Sequence, residues 1–293
     1  MKMKKTDLTF DMNMPWDATM MFSCTYGNYN GDPDMGGRPR QDLDTEKGLV
    51  TDVCLSHKVR MKVVNSFNQE APNRVLVVPN TYRQKFYSEM KDISDEENDT
   101  VSVICNNFWD VRVFGSVFAW GGEELGSLTG PIKFSTLSVS LDPVTIMDIS
   151  ITTCAPARDK ERNGKMINKK TDIGEKYAVP FALFKTHIWY IPEYAKLSGI
   201  TNDDVNIFFG ALLGIFDSDR STMRGEMAIH SLDIFKHSSE LRNARFQDIK
   251  GLISVNKDQD IEFPRSFSDY SRSFDENSVP EGIEHINLLN DWK

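Results

Sequence analysis

The sequence predicts an α+β protein built on a ferredoxin-like, split β-α-β core with inserted elements. Three observations carry this. A strand pattern near the start is followed by an amphipathic helix; a second succession of strand, helix and strand occupies the second half; and the order strand, helix, strands, strand, helix, strand is that of the ferredoxin-like core. At 293 residues the chain is long for one domain and short for two large ones, so one core domain with sizeable insertions is expected.

Met20 to Tyr26 places Met20, Phe22, Cys24 and Tyr26 opposite Met21, Ser23 and Thr25, the alternation of a strand. Gly27 to Gly48 is a long loop rich in Gly, Pro, Asn and Asp, and a loop of this length inside a compact domain is usually functional. Leu49 to Phe67 reads as a helix whose apolar stripe is Val50, Val53, Cys54, His57, Met61 and Val64. Lys58 and Lys62 project together from a neighbouring face, either toward a ligand or as an ordinary solvated face. Arg74 to Val78 reads as a short strand and Thr81 to Lys91 as a helix. Val111 to Trp120 and Ile132 to Ser140 are strand-like, with glycines 121, 122, 126 and 130 between them, and Ile146 to Thr153 is a further strand. Pro156 to Gly174 is polar and basic with Asn163-Gly164 at a natural turn, a hairpin or flexible finger. Val179 to Ile191 is the next strand. Thr201 and Asp204 form a T-x-x-D capping box for a helix carrying Val205, Phe208, Phe209, Leu212 and Phe216 on one face. Glu226 to Phe235 is the last core strand, and the tail beyond Gly251 is polar and weakly patterned. The expected organisation is thus one domain over residues 1–251, with insertions near 68–107 and 156–178, and a polar extension over 252–293.

Composition excludes several classes. No apolar run is long enough to span a bilayer, and Met1 to Phe10 is polar and lysine-rich, so a cytoplasmic location without membrane partners is expected. The four cysteines are scattered with no C-x-x-C pair, and the five histidines show no H-x-x-x-H spacing, so neither metal nor other cofactor is expected. The net charge of −9 argues against nucleic acid when taken alone. Its distribution softens that objection: acid gathers in Met90 to Thr100 and in Lys257 to Lys293, whereas Arg158 to Lys176 holds seven Lys/Arg against four acids.

Six segments carry a resemblance. NGDPDMGGRPRQD (Asn30 to Asp42), GLVTDVCLSHKVR (Gly48 to Arg60), FWDVRVFGSVFAW (Phe108 to Trp120), TGPIKFSTLSVSLDPV (Thr129 to Val144) and YAVPFALFKTH (Tyr177 to His187) resemble the backbone subunit of CRISPR Cascade complexes, the Cas-seven family of the RAMP superfamily. DRSTMRGEM (Asp219 to Met227) is similar to the type I-C branch in particular, while Thr129-Gly130-Pro131 is similar to type I-B and puts Thr129 where type I-C carries an arginine. The resemblance implies a modified RNA-recognition-motif palm with an inserted thumb hairpin (156–178) and finger elements (68–107). It implies several copies lying along a CRISPR guide RNA, with target DNA strand pairing to that guide. Other Cascade subunits and a recruited helicase-nuclease are the further implied partners.

Within that reading the residues expected at RNA follow from their chemistry. Asn28 and Asn30 lie in a loop whose Gly, Asn and Asp let backbone N–H groups face phosphate. Arg38 and Arg40 can fork onto phosphate oxygens or pair with Asp32, Asp34, Asp42 or Asp44. The helix beginning near Gly48 adds positive potential, and Lys58 and Lys62 extend the track. Gly126, Ser127 and Thr129 allow close backbone approach, with Lys133 beside them. Lys165, Lys169 and Lys170 are the expected thumb contacts, and Arg224 is a phosphate ligand. The RNP pattern of ordinary RNA-recognition modules is absent, so bases are not expected to stack on the open sheet; Phe108, Trp109 and Phe114 are core and His230 a satisfied buried histidine. In type III relatives an acidic residue in the loop after the first strand supports RNA cleavage, and Asp32, Asp34 and Asp42 lie in that region. The surrounding pattern is that of type I, and no His-based acid/base pair or GK[ST] loop is present. A non-catalytic scaffold is therefore expected, with a type III-like ribonuclease and a stand-alone RNA-binding regulator as alternatives.

Overall fold

The computed structural model describes residues 6–78, 100–120, 123–153, 160–162, 165–167, 172–222 and 224–290, together with Phe86 and Glu89. The chain runs β1 (Trp16–Gly27), β2 (Gly31–Asp32), β3 (Arg38–Pro39), β4 (Lys47–Thr51), α1 (Asp52–Phe67), α2 (Thr100–Asn107), α3 (Trp109–Phe114), β5 (Gly115–Trp120), β6 (Glu123–Thr129), β7 (Ile132–Phe134), β8 (Leu137–Pro143) and β9 (Met147–Thr153). It continues with β10 (Lys160–Arg162), β11 (Lys165–Ile167), β12 (Asp172–Tyr190), α4 (Pro192–Ser198), α5 (Asn202–Leu213), α6 (Ile215–Ser218), β13 (Glu226–His237), α7 (Phe246–Gly251), β14 (Ile253–Lys257), β15 (Tyr270–Phe274) and β16 (Ile283–Asn290).

The main sheet has the order β16-β13-β1-β12-β8-β4, with β7 and β9 also pairing with the long β12. Taking β1, α1, β8, β12, α5 and β13 alone gives β13-β1-β12-β8 with antiparallel neighbours, the split β-α-β arrangement expected from the sequence. On β1, Ala18, Met20, Phe22 and Cys24 face the helices and join the main core with Leu55, Val59, Val63, Val205, Phe208 and Phe209. Met21 belongs to a second layer with Phe181, Leu183 and Tyr270, and Phe235 to a third cluster with Ile249, Leu252 and Ile253. Both faces of the sheet are therefore buried, which is why β1 is buried along nearly its whole length.

Several expectations are corrected. Gly48 lies in strand β4, and the helix begins at Asp52 behind an N-cap at Thr51, whose side chain accepts from the Cys54 N–H at 3.2 Å. The buried stripe of α1 is Leu55, Lys58, Val59 and Val63, and Val53 of the expected stripe is 68% exposed. Both stripes have helical spacing; the true one contains a lysine, whose ammonium lies 5.9 Å from the Phe216 ring centre and is met by Asp219. Residues 109–114 form a helix rather than the start of a strand. It is buried on nearly every side, so no helical period shows in its sequence, and its polar residues are fixed by distant partners. Asp110 accepts the N–H groups of Leu76 and Val77 at 2.7 and 3.1 Å and Arg60 Nε at 3.1 Å. Arg112 forks onto Asp204 at 2.7 and 3.0 Å, tying α3 to the capping box of α5 that Thr201 and Asp204 form. Arg74 makes only an isolated bridge to Phe108 in place of a short strand. The expected helix over 81–91 lies outside the described residues apart from Phe86 and Glu89. The polar tail beyond 251 folds into the β14–β15 ladder, and β16 pairs with β13 as the end strand of the main sheet. Among the described residues no helix is long and apolar enough to cross a membrane.

Candidate nucleic-acid interface

The site begins where β1 leaves the sheet. Tyr26 has a positive φ of 46°, and Gly27 packs so closely on the loop before β13 that an added Cβ would lie 2.4 Å from the Gly225 nitrogen. The stretch that follows is an ordered loop, not a structureless one. Tyr29 is buried, sets its ring edge-on to Phe184 at 4.7 Å and donates its hydroxyl to the Arg40 carbonyl at 2.7 Å. Asn28 donates to the Gly37 carbonyl at 2.8 Å, closing the turn in which Gly36 and Gly37 have φ of 66° and 84°. Asn30 accepts from the backbone N–H and hydroxyl of Thr51 at 3.0 and 3.2 Å, fastening the loop to the start of α1.

This fastening opens a cleft of about 540 Å³ at the N-terminus of α1, walled by Asn30, Arg40, Thr51, Lys58, Leu137 and Arg224. Four expected residues (Asn30, Arg40, Lys58 and Arg224), from three separate segments, thus meet in one place. The N-terminus of α1 turns its partial positive charge toward it, while the Asp52 and Cys54 N–H groups are taken by the Thr136 carbonyl and the Thr51 hydroxyl at 3.1 and 3.2 Å. Arg40 reaches Asp32 at 3.0 Å. Lys58 and Arg224 both pair with Asp219, one to each carboxylate oxygen. His57 also lines the cleft, and partial burial lowers its imidazole pKa, so it adds no charge at neutral pH. Burial raises the Cys54 thiol, which is therefore not a nucleophile.

The other expected residues lie elsewhere. Arg38 stands at the foot of the β9–β12 ribbon, 2.6 Å from Asp148 and with its guanidinium 5.0 Å from the Tyr177 ring centre. Asp148 holds its pKa up, while Tyr177 donates to Glu175 at 2.7 Å. Lys62 packs by Gly214, where an added Cβ would come within 2.9 Å of its Nζ, and does not line the cleft. Lys133, on β7, has its pKa lowered by burial against a compensating pull from Asp52. Gly126, Ser127 and Thr129 lie on the β5–β6 hairpin, a two-stranded ladder separate from the main sheet. Lys165 lies in β11, and Lys169 and Lys170 lie outside the described residues. Asp219 and Leu137 were missed by sequence reasoning, although Asp219 opens one of the quoted segments and faces Lys58 across 161 residues.

Two carboxylates of the alternative cleaving reading are committed to structure. Asp32 pairs with Arg40 and caps the Asp34 N–H at 3.1 Å, and Asp42 accepts the N–H groups of Asp44 and Thr45 at 2.9 and 3.1 Å. Among the described residues no three His, Cys, Asp or Glu gather as a metal site.

A family model described as CRISPR-associated protein Cas7 matches residues 15–275. A solved structure described as a CRISPR RNA-guided surveillance complex, pre-nicking, is similar at 13% identity over 75% of this chain and 78% of that one, with a TM-score of 0.46. Another, described as a CRISPR RNA-guided surveillance complex, has 13% identity over 75% of this chain and 68% of that one, with a TM-score of 0.44. No curated protein matches the chain. The family match spans both halves of the sheet, the α1 cleft and the β9–β12 ribbon, and the chain belongs to the Cas7 family.

Proposed function

We propose that this protein is a backbone subunit of a type I Cascade assembly, in the type I-C branch, of which several copies lie along a CRISPR guide RNA. The observation that carries it is the cleft. Asn30, Arg40, Lys58 and Arg224 converge at the N-terminus of α1, where donors and positive potential face one groove, as a phosphate track requires. The guide is held by its phosphates and sugars, its base edges stay free for a target DNA strand, and one subunit type serves any guide sequence. The protein does not cut; a helicase-nuclease recruited by the complex does.

The β9–β12 ribbon, with the β10–β11 pair beyond it, is the thumb that reaches the neighbouring copy and lays Lys165, Lys169 and Lys170 on the guide. Residues 68–107 act as the finger, and the β5–β6 hairpin brings Gly126, Ser127 and Thr129 to the same strand, with Lys133 at its root. Expressed with its operon neighbours, the protein should copurify with small RNA of repeat-spacer length and, on its own, bind unrelated spacer sequences with equal affinity. A strong preference for one spacer sequence would sink the scaffold reading; cleavage of bound RNA would favour the type III-like alternative.

A further inference from the structure

Every cation of the cleft already holds a carboxylate of its own chain. Arg40 holds Asp32 at 3.0 Å, and Lys58 and Arg224 share the two oxygens of Asp219. The Asp219 arrangement is the more telling. The Lys58 side chain is 3% exposed, so its ammonium depends on a partner for the hydrogen bonds that water would otherwise supply. Asp219 is 21% exposed, directly beyond α6, and Arg224 is 42% exposed on the loop that follows. One carboxylate edge therefore bridges a buried ammonium and an exposed guanidinium, both of which line the groove. A phosphodiester presents the same edge, two anionic oxygens on one atom, to the same donors.

We propose that Asp219 is a built-in stand-in for RNA phosphate: it keeps Lys58 and Arg224 in place in the RNA-free chain, and the guide backbone displaces it. The inference rests on the cleft being the RNA site and adds how that site is regulated. Asp32 does the same for Arg40. Displacement turns a paired carboxylate out beside an incoming anion, so one copy alone binds weakly. Contacts between neighbouring copies then decide whether RNA is coated. A chain of net charge −9 thereby holds a phosphate site without attracting every nucleic acid.

Asp219→Asn tests this, because it keeps the size and one oxygen acceptor and removes the charge. The full chain is titrated against labelled single-stranded RNAs of unrelated sequence at several salt concentrations, with a melting curve for each variant. D219N should bind roughly ten-fold tighter than the parent, as expected when a charge-assisted competitor is removed. Its salt dependence should steepen by about one ion, since no carboxylate is released to take up a cation. D32N should tighten binding independently, and the two gains should multiply because the residues lie on separate segments. D32N alone decides if D219N melts below the assay temperature. Binding no tighter than the parent in both variants overturns the stand-in role. Failure of the cleft itself reads differently: R224A would then bind RNA as the parent does.

Discussion

Replacing Arg38 and Arg40 together by Ala separates a phosphate track from a self-contained loop. The two ion pairs concerned are partly or fully open to water: the side chains are 41% and 63% exposed for Arg38 and Asp148, and 31% and 22% for Arg40 and Asp32. Solvent screening leaves the first pair with no stabilising role, and the second contributes about 0.5–1 kcal/mol. A chain of this size then melts only about 1–4 °C lower. The loop survives because its frame is made by other groups: Tyr29 on the Arg40 carbonyl, Asn28 on Gly37, and Asn30 on Thr51. RNA binding should fall far more. Each arginine loses a charge-assisted contact and leaves a carboxylate facing the guide, so about ten-fold per residue and on the order of a hundred-fold together is expected. Two lost phosphate contacts lower the salt slope of a single strand by about 1.4. Fluorescence anisotropy between about 50 and 200 mM salt reads both quantities. An unchanged slope would refute the reasoning and leave the arginines as partners of Asp32 and Asp148 alone.

Arg112→Ala should destabilise the fold by about 3–5 kcal/mol, because it strips Asp204 of its buried partner and frees the carbonyls of Pro72 and Cys105; chemical denaturation measures it. Replacing Arg158 to Gly174 by a short Gly-Ser turn should abolish ordered assembly on RNA while leaving the palm folded, and assembly at parental levels in negative-stain images would remove the thumb assignment. His187, whose pKa burial and then the nearby Lys185 and Lys250 push down to about 3, stays neutral when folded and charges when unfolded. Stability should therefore be full above the unfolded pKa near 6.5 and fall as pH drops from there toward about 3, by up to about 1.4 kcal/mol per pH unit, and His187→Gln should flatten that slope in pH-dependent melts.

The split β-α-β order was legible because its elements carry local marks: alternation in β1, and a capping box at Thr201 and Asp204 that the structure forms with both reciprocal bonds. Where burial is all-round, local marks fail. Residues 111–114 read as the start of a strand because Val111 and Val113 alternate with Arg112 and Phe114, and the ion pairs that make Asp110 and Arg112 core-compatible come from Arg60 and Asp204. The same limit governs the cleft. Arg40, Lys58 and Arg224 stand out by residue type, but their carboxylates cannot be chosen from sequence when Arg38 finds Asp148 across 110 positions and Lys58 finds Asp219 across 161. The buried stripe of α1 escapes the apolar pattern for this reason, since one of its members is Lys58.

The second face of the sheet explains why the interface lies at the end of a helix. In RNA-recognition modules that face offers aromatic side chains on which bases stack. Here the segment between β13 and β16 lies on it and brings its own rings. Phe246 meets His187 and Trp189 edge-on at 5.0 and 5.1 Å, Phe267 stacks on His230 at 3.7 Å and 5°, and Tyr270 packs on Phe181 at 6.2 Å. Phe274 lies 4.2 Å from the ring of His285 on β16. The cover is locked by Asp233, which is fully buried under it and accepts from Arg272, His285 and Asn287 at 2.6, 3.0 and 2.9 Å. The stacking positions are thus filled by the chain itself, and a buried carboxylate under the cover opposes any phosphate entering there. With that face closed, the proposed RNA site is left with Arg40, Lys58 and Arg224 at the mouth of α1. None of these distinguishes one base from another. If the guide strand is held there as proposed, indifference to guide sequence is expected from the closure of the sheet as much as from the chemistry of the cleft.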